Sequence, residues 1–322
     1  MSKAGAPLVI VRSLVYNHEP YLRQCLDGFV MQKTNFKFEV QVHDDSSTDG
    51  SKEIILEYAA KYPEIIKPFI EEENQYSKGP NGVWKWGELN SKYVALCEGD
   101  DYWTDPFKLQ KQVDFMEKHM GYSMCFHAVK IERDGIIVGS DLHSRNNREY
   151  STKKIIEAGG GFCATCSLLM NRIFFEEQPK FLQMSEVGDY PLQILMALKG
   201  KIYYFAEEMG VYRFGHEGSW TSNVTKDKAK QLLESKFRWM EALNDYSGFH
   251  YKDSVSFSCM SSMVRRYDEG IVPFDDVARY LKQSRINVMN LDSSSRKYYI
   301  TMFVKFCLPN FYSFVKKIFL GK

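Results

Sequence analysis

The feature that most constrains this chain is a strand–helix alternation over its first hundred residues in which two strands end in acidic clusters. Residues 7–15 (PLVIVRSLV) are apolar and β-branched, bounded by Pro7 and by Asn17 and Pro20, and predict a buried strand. Tyr21, Leu22, Cys25, Leu26 and Phe29 then recur at helical spacing over 20–32. A second strand, 36–43, runs into Asp44-Asp45, and a helix is expected over 51–62. A third strand is read at 65–71, a loop at 74–82 and a helix around 83–91. A fourth strand, 93–97, runs into Glu98-Gly99-Asp100-Asp101. Such alternation implies an α/β fold with a mostly parallel sheet, and such sheets bind ligands beyond the carboxyl ends of their strands. That is where both acidic clusters fall.

Further along, a helix is read at 107–119, strands near 122–131, 136–139 and 165–171, and a helix at 190–199. Residues 140–150 are polar and loop-like. The pattern is wholly helical at 226–243, 254–268 and 274–289, which places a boundary near 222–226. The expected division is 1–222 as the α/β domain and 223–322 as a helical C-terminal region.

Composition excludes several classes. Lys+Arg is 42 against 41 Asp+Glu, so the basic excess of a dedicated nucleic-acid binder is missing. Seven cysteines show no framework spacing, and the one C-x-x-C, Cys163 and Cys166, lacks the second pair a zinc site needs. They read as buried free thiols of a reducing compartment. The first residues carry no apolar segment with a cleavage site, so no signal peptide is expected.

The chemistry concentrates in the acidic clusters. A divalent cation bound with a diphosphate takes hard oxygen ligands, typically one or two carboxylates plus phosphate oxygens and water. Asp100 and Asp101 are placed to supply them. An isolated E-G-D-D ahead of Pro106 would read as a solvated turn, but the second acid-ended strand upstream weighs against that. In VHDDSSTDGS, Ser47, Thr48 or Asp49 are read as caps of the following helix. Capping does not account for Asp44 and Asp45, and a carboxylate there suits an imide N–H of a nucleobase.

The segments VYNHEPYLRQCLDG, VHDDSSTDGS and ALCEGDDYWTDPFKL resemble the inverting glycosyltransferases of family 2, of bacterial polysaccharide-assembly type, over roughly residues 7–220. The resemblance implies a GT-A nucleotide-diphospho-sugar transferase fold and transfer of a sugar from a nucleoside diphosphate, UDP foremost, to a hydroxyl acceptor in polysaccharide or glycolipid assembly. It places Tyr16 on the nucleobase face, Asp45 against the base, and Asp100 and Asp101 at the ribose and metal. Here the motif reads E-G-D-D, which leaves the part of Glu98 open. In MSEVGDYPLQILMA the resemblance makes Asp189 the catalytic base, with Glu186 its competitor; Asp189 also suits a helix start before Pro191. The late motif VYRFGHEGSW makes His216 a metal or phosphate ligand, so the expected metal residues are Asp101 and His216, holding Mn²⁺ or Mg²⁺. Tyr76 and Lys78 fall where the family faces the nucleotide, and Lys78 would offset phosphate charge. The other class weighed is a catalytically inactive nucleotide-sugar binding module.

The tail, 298–322, interleaves aromatics with Lys305, Lys316 and Lys317. No apolar run there reaches the roughly 18–20 residues that span a bilayer. The two readings are an interfacial segment and a terminal helix packed on the protein or a partner subunit. The implied partners are a nucleotide-sugar donor and a sugar or lipid-linked acceptor, without nucleic acid. The implied location is the cytoplasm, peripheral on the inner face of the cell membrane.

Overall fold

The structure is a computed structural model and describes residues 5–76, 89–216 and 224–312. Its described chain divides into two compact units. The first comprises residues 1–152, 160–178 and 187–223, and the second 153–159, 179–186 and 224–322.

The first unit is built on one mixed sheet. Strands β1 (Val9–Val15), β2 (Phe38–Asp44), β3 (Ile66–Ile70) and β4 (Tyr93–Leu96) form a parallel half in the order β3-β2-β1-β4. The order continues through β9 (Leu169–Asn171), β6 (Tyr122–Arg133) and β10 (Lys201–Arg213) to β5 (Tyr102–Trp103). β6 and β10 are parallel to each other, while β9 is antiparallel to both β4 and β6. β7 (Ile136–Ser140) pairs with β6, and β8 (Arg148–Tyr150) with β10. β1 and β4, inside the sheet, are buried almost throughout, as strands covered on both faces are, while the edge strand β3 is exposed at Pro68 and Phe69.

The chain leaves β1 toward β2 on one side and β4 on the other, so a topological switch point lies at β1. In register, Val15 lies opposite Asp44. Tyr16, Asp45 and the Glu98–Asp101 turn therefore emerge at one edge of the sheet.

Helix α1 (Glu19–Val30) starts with Glu19 and Pro20 in its first turn and buries Leu22, Cys25, Leu26 and Phe29. It approaches β5 so closely at Gly28 that a Cβ there would lie 2.9 Å from the Trp103 backbone. Helices α2 (Ser51–Lys61) and α3 (Lys108–Lys118) bury the faces their sequence spacing offers, and α4 (Thr152–Ala158) follows β8. After a single turn, α5 (Lys180–Gln183), comes α6 (Asp189–Lys199), which is buried along most of its length and precedes β10.

The second unit is helical, with α7 (Lys226–Tyr246), α8 (Lys252–Asp268), α9 (Phe274–Ser284) and α10 (Ser293–Cys307). Phe257, Met260, Val277, Leu281, Tyr299 and Phe306 meet in its core. α9 is shorter than the 274–289 expected, because Arg285 adopts a left-handed conformation that ends it. The aromatic tail contributes Tyr299 and Phe306 to this core, while Tyr298, Ile300, Leu308 and Phe311 face outward. Residues 313–322 lie outside the described residues. No helix among the described residues is long and apolar enough to cross a membrane.

All seven cysteines are free thiols, and Cys163 and Cys166 are both buried.

Candidate functional site

The sheet edge beyond β1 and β2 is built by two interlocked turns. Asn17 takes a left-handed conformation, which Asn tolerates through its short polar side chain. Its side-chain oxygen accepts from the Thr48 N–H at 2.7 Å. The backbone N–H groups of Asn17, His18 and Glu19 donate to Ser47 Oγ, Ser51 Oγ and Asp49 Oδ2 at 2.9–3.0 Å. Glu19 returns the contact by accepting from the Gly50 N–H at 2.8 Å. Of the expected caps of α2, Asp49 accepts from the Ser51 N–H at the helix start at 3.0 Å while its other oxygen serves α1, whereas the Ser47 hydroxyl meets Asn17, and Gly50 stands at the N-cap position. Two helix starts thus share one polar seam, and Tyr16, 47% exposed, stands at its rim.

Asp45 is buried beside Tyr16, and both its carboxylate oxygens are engaged. Oδ1 accepts from the Gln75 N–H at 2.6 Å and Oδ2 from the Tyr76 N–H at 3.0 Å. The residue expected to read a base therefore anchors the loop at 74–76, and it brings the exposed Tyr76 to the side of the site that holds Tyr16. Lys78 lies outside the described residues.

The Glu98–Asp101 turn is the acidic centre. Its Gly99 packs under His18: a Cβ there would lie 2.8 Å from His18 Nδ1 and 2.9 Å from Val15 Cγ2. The two aspartates face different ways. Asp100 Oδ2 lies 3.0 Å from His216 Nε2 and 4.0 Å from His18 Nε2, and Asp100 Oδ1 is buried with no hydrogen-bond partner. Asp101 is 1% exposed and turned inward, its Oδ1 accepting from the Arg213 backbone N–H at 2.8 Å. The expected metal pair, Asp101 with His216, is thus not brought together; the carboxylate that meets His216 is Asp100. The E-G-D-D turn, closed by the Asp101 N–H donating to the Glu98 carbonyl, points consecutive side chains apart.

Electrostatics separates these carboxyls further. Burial pushes Asp100 up, but the His216 hydrogen bond and the nearby His18 outweigh it and leave Asp100 below the usual carboxylate range. Burial and the charge of Asp100 hold Asp101 well above that range. Glu98 is pushed up to about 8 by burial and then by the charges of Asp100 and Asp189. Asp189 is thus near enough for its charge to bear on Glu98. Asp189 is the first residue of α6, where its Oδ1 accepts from the Tyr190 N–H at 2.8 Å; burial raises its carboxyl and that N–H opposes the rise. Glu186, its competitor, pairs instead with Lys228 at 2.7 Å in the second unit.

Asp100 and His216 offer a cation one oxygen and one imidazole nitrogen, and the partnerless Asp100 Oδ1 is a further acceptor aimed nowhere else. Among the described residues no group of three or more His, Cys, Asp or Glu is arranged to hold a metal. A protein share of two ligands fits a cation that takes its remaining ligands from a diphosphate, and the nitrogen donor suits Mn²⁺ better than Mg²⁺.

Residues 13–177 match the family described as Glycosyl transferase family 2. The chain belongs to that family. Over 219 residues it is 35% identical to an uncharacterised protein of Mycobacterium tuberculosis, covering 66% of this chain and 60% of that one. The chain thus spans about 60% of the length of these mycobacterial relatives. It is 27% identical over 145 residues to the putative teichuronic acid biosynthesis glycosyltransferase TuaG of Bacillus subtilis, covering 45% of this chain and 56% of TuaG. Among solved structures it is similar to S. aureus TarS 1-349 in complex with UDP-GlcNAc, with a TM-score of 0.56, 14% identity, and coverage of 92% and 90%. It is also similar to the mannosyltransferase PcManGT of Pyrobaculum calidifontis in complex with GDP-Man and Mn²⁺, with a TM-score of 0.55, 14% identity, and coverage of 99% and 89%. These likenesses show the fold: a GT-A-type α/β sheet with flanking helices and a helical C-terminal region.

Sequence reasoning gave no settled part to three residues around the acidic turn. His18 sits inside the Y-N-H-E turn and was hidden by its place in a helix start. Glu98 stood in the acidic motif with no part given to it. Arg213 belongs to β10, a strand the sequence pattern did not reveal, although VYRFGHEGSW contains it.

Proposed function

We propose that this chain transfers a sugar from a nucleoside diphosphate donor, UDP foremost, to a hydroxyl acceptor with inversion at the anomeric carbon. The observation that carries the reading is the meeting of Asp100 and His216 at the strand edge, with the charges of Asp100 and Asp189 both bearing on Glu98. Tyr16 offers a ring to the nucleobase, with Asp45 holding the 74–76 loop beside it. Asp100 and His216 would hold the divalent cation, which would neutralise charge on the departing diphosphate. Asp189, held above the usual range of an aspartate, is a stronger base than a free carboxylate. It accepts the acceptor's hydroxyl proton as that oxygen bonds to the anomeric carbon and the bond to the diphosphate oxygen breaks on the opposite face. One base is enough, because the leaving group departs as an anion and needs no proton.

Relatives named for polysaccharide assembly, such as TuaG, support an acceptor in polysaccharide or glycolipid assembly. The outward Tyr298, Ile300, Leu308 and Phe311 of the tail would meet the inner face of the membrane that carries such an acceptor.

A thermal-shift screen of nucleotide-sugars with and without Mn²⁺ tests the reading, since a ligand of the native state raises its stability. UDP-sugar should stabilise the protein in a Mn²⁺-dependent way. Asp100→Ala should abolish that dependence, whereas Asp101→Asn, which keeps an oxygen for the Arg213 N–H, should retain it. Equal dependence in Asp100→Ala and the parent would overturn the metal assignment. Donor binding without transfer or hydrolysis would favour an inactive binding module.

A further inference from the structure

We propose that Arg213 is a positioning residue of the donor site: its guanidinium holds the Asp100 peptide, and through it the direction of the Asp100 carboxylate toward His216. The inference rests on the glycosyltransferase reading and adds to it a residue that acts through the Asp100 turn.

Arg213 ends β10 and is 7% exposed. A guanidinium carries its charge at any accessible pH, so burial demands that its N–H groups be met. Each edge of the fork is met. Nε donates to Glu132 Oε1 at 2.7 Å, Nη1 to the Asp100 carbonyl, and Nη2 to Gln24 Oε1. Its Cζ lies over two rings, 5.0 Å from the Tyr21 centroid and 4.5 Å from that of Tyr102. Glu132 is fixed in turn by the Tyr102 hydroxyl, which donates to its Oε2 at 2.9 Å. α1, β5, β6 and β10 all contribute to this one clamp.

Two further contacts direct the clamp at the acidic turn. The Arg213 backbone N–H holds Asp101, so one residue grips the turn at both aspartates. Tyr21, which meets the guanidinium, also lies 4.6 Å from the His216 ring, centroid to centroid. His216 follows three residues after Arg213. The clamp therefore sets both members of the Asp100–His216 pair, one through its carbonyl and the other through the strand end and Tyr21. Asp189 is oriented separately, by the Tyr190 N–H.

A lysine would keep the charge but cannot form the fork or stack a planar group on the neighbouring rings. Arg213→Lys should therefore raise the Mn²⁺ concentration at half-effect by about 10–100-fold, the usual cost of removing a partner that orients a metal ligand. That midpoint is read by thermal shift at fixed UDP, without turnover. The KM for donor should rise with it, while kcat at saturating metal and donor stays within about threefold, because the base is untouched. Gln24→Ala, which removes one arm of the fork and leaves the Glu132 pair, should give a smaller shift in the same direction and keeps the test open if Arg213→Lys fails to fold. A clamp that served only stability would lower the melting temperature and leave the metal midpoint where it was. Midpoints within twofold of the parent in both variants would overturn the inference. A parent without Mn²⁺-dependent UDP binding would overturn the proposed function itself, and this inference with it.

Discussion

Asp189 and Asp100 are both partly buried aspartates, yet their surroundings push them in opposite directions. Asp100 is held low by the His216 hydrogen bond and the nearby His18; Asp189 is raised by burial, which backbone N–H groups oppose. A base must be deprotonated to act, so turnover should fall as pH drops through its raised pKa. The acid limb of kcat should accordingly lie above the usual aspartate range, and a pH–rate profile reads it directly. Asp189→Asn should lower kcat by about 10²–10⁴-fold with nucleotide affinity nearly intact; unchanged turnover would remove Asp189 from the role. The identity of these acids was legible from their places after strands. Their directions were not, because side-chain heading within a four-residue turn depends on contacts from β6 and β10 far along the chain.

At the scale of elements, legibility followed regularity. β1 and β4 are largely apolar and β2 alternates apolar with polar residues, each with turn residues at its end, and their expected and observed bounds differ by two residues at most. β10 is as long as any strand in the sheet and escaped, because its register against β6 breaks between Phe205 and Glu208, where Glu207 and Glu208 interrupt the apolar pattern. β5 and β8, with two and three residues, offer no period to read. The close seat of the acidic turn on the α1 entry was equally invisible, although Gly99 hints at it. Gly99→Ala should cost about 1–3 kcal/mol, as overpacking does. The cost should shrink in a His18→Ala background, where the nearest obstructing atom is gone. Urea denaturation of the four proteins in the cycle measures the difference; equal costs in both backgrounds would show that His18 does not set the fit.

For the whole molecule, the helical C-terminal region was legible from its 3.6-residue period. Its inclusion of 153–159 and 179–186 was not, because short segments joined through tertiary contacts carry no local signal. Within this second unit the tail has two faces. Ending the chain at Ser295 should lower the unit's stability, since Tyr299 and Phe306 are buried and each contributes about 1.5–3 kcal/mol. Replacing Ile300, Leu308 and Phe311 together by Ser should instead leave the melting temperature near that of the parent and abolish cosedimentation with anionic liposomes. Cosedimentation equal to the parent's would deny the tail a membrane role.

The proposed base Asp189 at the first residue of α6, the proposed clamp Arg213 at the last residue of β10 and His216 three residues beyond lie on one continuous stretch of chain. Along a strand, side chains alternate between faces, so one residue added after Gly200 would slide β10 by one step against β6 and turn Arg213 to the opposite face. Substitutions within Asp189–His216 can be absorbed one side chain at a time, but a change in its length alters base, clamp and ligand at a stroke. The length of this stretch, more than any one of its side chains, therefore ties the proposed base to the proposed metal pair.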